Sequence, residues 1–334
     1  MKRWILFLLL GAFSLQAQAI FTLPGTPQTQ KLPSLGVDKD SVTVSGISAG
    51  AFLAVQLGVA YSQEIKGVGV VAGGIYECAE GNPSKATDFC MKTPEQIAPV
   101  HYESLVSDHF GKNLIDNPQN IASQKIYILN GTEDKTVMPD SGKKLQEFYQ
   151  SFNAQITTEF SLKMGHAFPS NKAKNACEVS QFPWVNNCHY DGAKNILQTM
   201  YGDLKPNSAK LSGELIAFDQ SEFDSKSAGM LDAGNAYIPA NCKAAAGAHC
   251  RLHIALHGCL QSPNIVQGAF TQDAGYNEWA DTNNIVILYP AVGMGSGNPN
   301  GCWDWWGYTG SNYTVKSALQ MKSIMKMAER LELN

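Results

Sequence analysis

Apolar and polar positions alternate along the chain in short blocks, and the blocks change period. Residues 41–45 (SVTVS), 68–72, 125–130 (KIYILN) and 156–162 are short β-branched or apolar runs that predict buried strands. Between them, 51–61 and 141–152 carry apolar residues at helical spacing. The second half repeats this style without repeating the sequence. Residues 214–219 and 236–239 flank a Gly/Ser/Asp-rich connection and predict a hairpin. Residues 252–256 (LHIAL) and 285–289 (IVILY) predict buried strands, with a helix over 269–282 between them. A long amphipathic helix over 313–331 closes the chain, its Met, Leu and Ile positions reading as core. Strands alternating with helices define an α/β class with a mostly parallel central sheet and helices on both faces. The best linker between the halves, 205–212, is short, so we expect one domain over 41–334.

The N-terminus follows a different pattern. Lys2 and Arg3 precede an apolar run to Leu15, and Ala17-Gln18-Ala19 supplies an A-x-A cleavage site. This predicts a secretory signal peptide over 1–19, its apolar run being shorter than a spanning helix needs. An extended arm rich in Pro, Gln and Thr is expected over 20–40. The expected product is exported to the periplasm or beyond, with no membrane span once the signal is removed. That compartment changes the reading of the eight cysteines, because disulfides persist there. Spacing suggests the local pairs Cys78 with Cys90, Cys177 with Cys188 and Cys242 with Cys250, leaving Cys259 with Cys302. Eight cysteines allow 105 connectivities, and spacing alone does not choose among them. A metal cluster at Cys188-His189 is the alternative, and the expectation is no metal and no organic cofactor.

Charge narrows the partners. The 334 residues include Lys+Arg 25 and Asp+Glu 29, a net charge of −4, which argues against a nucleic-acid partner. A monomer is expected. Only 16% of residues are charged and 44% are hydrophobic, so the chain has a large core and excludes wholesale disorder.

The candidate chemistry starts at Gly46-Ile47-Ser48-Ala49-Gly50, a G-x-S-x-G between a predicted strand and a predicted helix. That context is the nucleophile elbow, with Ser48 on a sharp turn and the Ala49 amide facing the developing oxyanion. A serine needs a base and the base needs an orienting acid. Among seven histidines, His166 follows a strand in Gly-His-Ala-Phe, and Asp134 follows the KIYILN strand. Both lie past strand C-termini, where chemistry collects in open α/β sheets. Glu133 and Asp140 are weaker candidates for the acid. The order Ser48, Asp134, His166 is the hydrolase order. Leu256-His257-Gly258-Cys259 has the His-Gly character of an oxyanion loop, with the Cys259 amide as donor and His257 shaping the loop. It follows the histidine, whereas in the usual hydrolase order it precedes the nucleophile. Half of the six tryptophans fall in Trp303-Asp304-Trp305-Trp306, followed by Gly307 and Tyr308. At least one is expected in the core. As a group, Trp303, Trp305, Trp306 and Tyr308 are expected to form an apolar substrate platform.

These residues resemble a family: the secreted poly(3-hydroxybutyrate) depolymerases with a single, circularly permuted α/β-hydrolase domain. The resemblance runs through VTVSGISAGAFLAVQLGVAYS, GGIYECA, LNGTEDKTV, GHAFP, ALHGCLQ, GYNEWADTNNIVILYP and NGCWDWWGY, nearly the whole chain after residue 41. It implies Ser48 as nucleophile with Asp134 and His166, and an oxyanion hole from Ala49 and Cys259. It also implies four disulfides and a surface cleft without a separate polymer-binding domain. Permutation accounts for the displaced oxyanion loop and requires the domain's two ends to lie together. Ala49 and Ala51 stand where many relatives resemble S-G-G, a departure that bears on substrate range. The implied activity is ester cleavage of short-chain polyhydroxyalkanoate through an acyl-enzyme. The alternatives are a carboxylesterase on polysaccharide esters, feruloyl or acetyl, and a non-catalytic secreted binding protein.

Overall fold

The computed structural model describes residues 29–208, 210–243 and 249–334; the signal peptide expected over 1–19 and the first part of the arm, 20–28, lie outside the described residues. The strands in chain order are β1 (Thr43–Ile47), β2 (Gly67–Val71), β3 (Lys125–Leu129), β4 (Gln155–Glu159), three short ones, β5 (Phe168–Pro169), β6 (Asn175–Ala176) and β7 (Val185–Asn187), then β8 (Glu214–Asp219), β9 (Ala233–Ile238), β10 (Arg251–Leu256) and β11 (Ile285–Tyr289). The helices are α1 (Ala49–Ala60), α2 (Pro99–Gly111), α3 (Asp140–Ser151), α4 (Gly192–Tyr201), α5 (Ala240–Lys243), α6 (Pro263–Val266), α7 (Ala269–Asp273), α8 (Tyr276–Asn283) and α9 (Leu319–Glu332).

Eight strands form one sheet in the order β4-β3-β2-β1-β10-β11-β9-β8. β10 and β11 are parallel to the β1–β4 half, while β9 runs antiparallel to both β11 and β8. Counted in chain order from β8 and continuing through β1, the sheet reads 1-2-4-3-5-6-7-8. That is the α/β-hydrolase order with the chain cut and rejoined. The two ends of the permuted domain do meet: Leu35 and Val37 amides donate to Leu331 O, and the Gly36 amide donates to Leu333 O. The described part of the arm belongs to the packed body, because Leu32 is buried and Gln30 bridges to Phe218 of β8.

The period of two along each central strand divides the core. Val44, Ile126, Ile128, Leu252, Ile254, Val286 and Leu288 pack on one face, against α1, α3 and α9. Ile47, Tyr127, Leu129, Ala255, Ile285 and Ile287 pack on the other, against α4, α7 and α8. α1 crosses the centre with every one of its residues buried, which explains why AGAFLAVQLGVA has almost no polar face.

Two predicted helices are revised. The 269–282 segment breaks into α7 and α8 at Gly275, whose φ of +93 suits glycine. The closing helix begins at Leu319, later than expected. The carbonyls of Tyr313, Thr314 and Lys316 accept instead from Gln56, Tyr76 and Tyr61 side chains, so tertiary hydrogen bonds displace the first helical turns. α2, α4 and the three-stranded sheet were not assigned from the sequence. α2 buries only Tyr102 and Val106 and so leaves little periodic signal.

Candidate active site

Ser48 connects the end of β1 to the start of α1 with φ 55 and ψ −124, a backbone conformation that L-residues rarely adopt. Its neighbours are glycine for steric reasons. A Cβ on Gly46 would lie 2.3 Å from the Gly50 carbonyl carbon, and one on Gly50 would lie 2.4 Å from His257 O. The Ser48 amide donates to Val71 O, which holds the turn against β2. Ala49 is the first residue of α1, so its amide has no intrahelical acceptor and points from the positive end of the helix. The Ala49 and Ala51 side chains, where the resemblance departs from S-G-G, are buried and line neither of the two cavities.

Asp134 and His166 follow β3 and β4. Asp134 is fully buried; its Oδ1 accepts from the Thr136 and Val137 amides at 2.8 and 3.0 Å. Its Oδ2 pairs with His166 Nδ1 at 2.8 Å. Nδ1 therefore carries the hydrogen, and Nε2 is left as an acceptor. The backbone of the histidine is fixed by its amide donating to Ser180 Oγ. The weaker acids are elsewhere engaged: Asp140 pairs with Lys143 one turn along α3, and Glu133 is an exposed side chain near Lys135.

Ser48 and His166 line one cavity of about 230 Å³ with Ile47, Met91, Thr136 and Trp184, closed by Gly258, Cys259, Leu260, Gln261 and Asn300. No hydrogen bond joins Ser48 Oγ to the imidazole in this structure. In the loop after β10, the Gly258 amide donates to Gln261 Oε1, and the Leu260 and Gln261 amides donate to Asn300 O and Gly258 O. The Cys259 amide has no such partner among the described residues, and Cys259 lines the same cavity as Ser48.

His257 shapes this loop. Its Nδ1 donates to Gly258 O at 2.7 Å and its Nε2 accepts from the Val292 amide at 3.2 Å. Burial pushes its pKa down to about 4, and that of His253 down to about 3. His253 bridges Thr43 Oγ1 and Ser45 Oγ from β10 to β1 and stacks on Tyr276. Both rings stay neutral in the folded protein but take up protons in the unfolded chain below pH ~6.5. The unfolded state then binds more protons, so stability falls as pH drops from about 6.5 toward 4. The slope is at most ~1.4 kcal/mol per pH unit for each ring. Denaturation midpoints across this range should show the loss, and His253→Gln should flatten it; an unchanged slope contradicts this account.

Four disulfides form, Cys78–Cys90, Cys177–Cys188, Cys242–Cys250 and Cys259–Cys302, of which the last borders the cavity. Cys188 is thereby removed from any cluster with His189, and among the described residues no group of three or more His, Cys, Asp or Glu side chains is placed to hold a metal ion. Cys259–Cys302 ties the loop after β10 to the tryptophan segment. Closing a span of 43 residues contributes about 4 kcal/mol in the chain-entropy model.

The aromatic platform needs correction. Trp303 is fully buried with its ring against His257, so it supports the loop from inside and lines neither cavity. Tyr308 lines neither cavity, and its hydroxyl is held by Cys302 O, Asn298 and Gln320. Trp305 stacks on Phe52 at 4.0 Å, and with Trp306 it lines a second cavity of about 420 Å³. Met91, Cys259 and Asn300 border both cavities, so the two are adjacent. Sequence reasoning missed Trp184, Thr136, Asn300 and Gln261. Thr136, Asn300 and Gln261 stood within stretches already quoted for the resemblance, and Trp184 did not.

Fold and site geometry together define an α/β-hydrolase fold with Ser48, Asp134 and His166 past the ends of β1, β3 and β4. No protein-family model matches the chain. The poly(3-hydroxybutyrate) depolymerase of Delftia acidovorans is 42% identical over 305 residues, 90% of this chain; the chain spans 61% of that protein's length. The polyhydroxybutyrate depolymerase of Talaromyces funiculosus is 37% identical over 318 residues, covering 90% of this chain and 92% of that one. The crystal structure of PHB depolymerase from Penicillium funiculosum superposes with a TM-score of 0.84 at 35% identity, over 91% of this chain and all of that one. A serine-to-alanine PHB depolymerase complexed with R3HB trimer gives the same TM-score at 34% identity and the same coverage. The chain belongs to the polyhydroxybutyrate depolymerase family. The relatives' names do not favour the polysaccharide-esterase alternative. No helix among the described residues is long and apolar enough to cross a membrane.

Proposed function

We propose that this chain is a secreted or periplasmic serine hydrolase that cleaves the ester bonds of short-chain polyhydroxyalkanoate, acting as a monomeric single domain over 41–334. The observation that carries the reading is the shared cavity of a strained serine and a histidine whose Nδ1 is held by a buried aspartate. Ser48 Oγ attacks the ester carbonyl while His166 Nε2 takes its proton, and Asp134 stabilises the imidazolium. The Ala49 and Cys259 amides receive the oxyanion. His166 then protonates the departing alkoxide, leaving an acyl-Ser48 ester. Water, losing its proton to the same nitrogen, attacks that ester; collapse returns the proton to Ser48 and releases the acid.

The adjacent cavity, lined by Trp305, Trp306 and the Cys259–Cys302 disulfide, suits an apolar, uncharged chain. Four disulfides suit an oxidising compartment. Purified protein should release hydroxyacid oligomers from a poly(3-hydroxybutyrate) film and little ferulate from a feruloylated polysaccharide. Ferulate release without film clearing would reverse the assignment of substrate.

A further inference from the structure

Gln261 is almost fully buried, at 1% exposure, yet it lines the catalytic cavity with a side chain whose three hydrogen bonds cross between two separate segments. Its Oε1 accepts from the Gly258 amide at 2.9 Å, next to Cys259. Its Nε2 donates to Pro183 O at 3.0 Å and to Trp184 O at 3.1 Å. Trp184 O also accepts from the Phe168 amide at 2.9 Å, two residues beyond His166. One amide group therefore joins the oxyanion loop, the Trp184 wall and the strand that leaves the histidine.

No disulfide makes the same connection. Cys259–Cys302 holds the oxyanion loop from one side, and Cys177–Cys188 closes the segment after His166 upon itself. The loop itself is glycine-built at the joint, where a Cβ on Gly258 would come within 3.3 Å of Gln261 Oε1. We propose that Gln261 is a positioning residue that fixes the distance between the Cys259 oxyanion donor and the His166 base. The inference rests on the reading of Ser48, His166 and Cys259 given above.

The amide is chemically matched to this task. It presents one acceptor to an N–H and two donors to carbonyl oxygens, an arrangement that no other side chain of that length supplies. A carboxylate there would keep the bond to Gly258 but set a negative charge against two carbonyl oxygens. Leucine would fill a similar volume and lose all three bonds. The oxyanion forms only as the carbonyl is attacked, so a displaced hole weakens the transition state and spares ground-state binding.

The test measures Gln261→Leu and Gln261→Glu on a soluble butyrate ester, with a trifluoromethyl ketone as oxyanion-forming inhibitor. The expected result is a kcat about 30–100-fold lower, with KM within about threefold and the inhibitor constant raised in step with the loss of kcat. A folded variant with kcat within threefold of the parent overturns the inference. So does a loss confined to KM with inhibitor binding unchanged. Failure of both variants to fold assigns Gln261 to packing and also overturns it. Ser48→Ala is assayed in parallel: full turnover there overturns the reading of the site itself, whereas a dead Ser48→Ala beside active Gln261 variants overturns only the positioning role.

Discussion

Ser48→Ala is expected to lower kcat on a soluble ester by ~10⁵–10⁶-fold and to leave the melting temperature within a few degrees. The two halves of this expectation have separate causes. Ser48 Oγ makes no hydrogen bond in the fold, so its removal orphans no partner and opens little space. Alanine at φ 55 is strained in the same way as serine, and the turn is imposed by Gly46, Gly50 and the bond to Val71 O. What the variant loses is the atom that becomes acylated. Water in its place is neither covalently held nor aligned with His166, leaving only the oxyanion amides and the cleft to contribute. An organophosphate should label the parent at Ser48 and leave the variant unmodified. Turnover retained in the variant, or labelling at a different residue, would remove Ser48 from the mechanism.

The elements that position Ser48 were legible because each is local. β1, α1, β2, β3 and β11 are continuous apolar or β-branched runs bounded by turn residues, and the glycines of the elbow mark its strained turn. Asp134 and His166 could be read from their places just past β3 and β4. What the sequence hid is set by long-range contacts. Trp303 and Trp306 stand three residues apart in one aromatic run, but Trp303 follows the disulfide at Cys302 and lies against the ring of His257 inside, while Trp306 lines the second cavity. The helix expected from Tyr313 loses its first turns to side chains of Gln56, Tyr61 and Tyr76, two of them on or next to α1 and distant in sequence. Gln261 gives no periodic signal, since its partners at Pro183 and Trp184 lie in a loop that the sequence pattern does not bring near. Permutation adds to this: it places the loop after β10 far beyond the elbow in the chain while β10 and β1 remain hydrogen-bonded neighbours.

Asp134→Asn is expected to reduce kcat by ~10⁴-fold with the fold retained, an effect out of proportion to one exchanged atom. The cause is the direction of hydrogen bonds around the carboxylate. Oδ1 accepts from two backbone amides, Thr136 and Val137. An asparagine must keep its carbonyl oxygen there, because its NH₂ group facing those two donors would leave all of them unpaired in a fully buried place. The NH₂ group is then forced toward His166 Nδ1, which has to become an acceptor. The tautomer reverses, Nε2 carries the hydrogen, and the imidazole can no longer take the proton of Ser48. The imidazolium also loses the negative charge that stabilises it. This account predicts a specific pattern: kcat on a soluble ester falls while KM stays within a few-fold, and activity recovers partially at high pH, where hydroxide replaces the missing base. A loss in KM alone, or activity close to that of the parent, would mean that Asp134 only packs against His166 and that the proton on Nδ1 is held by something else.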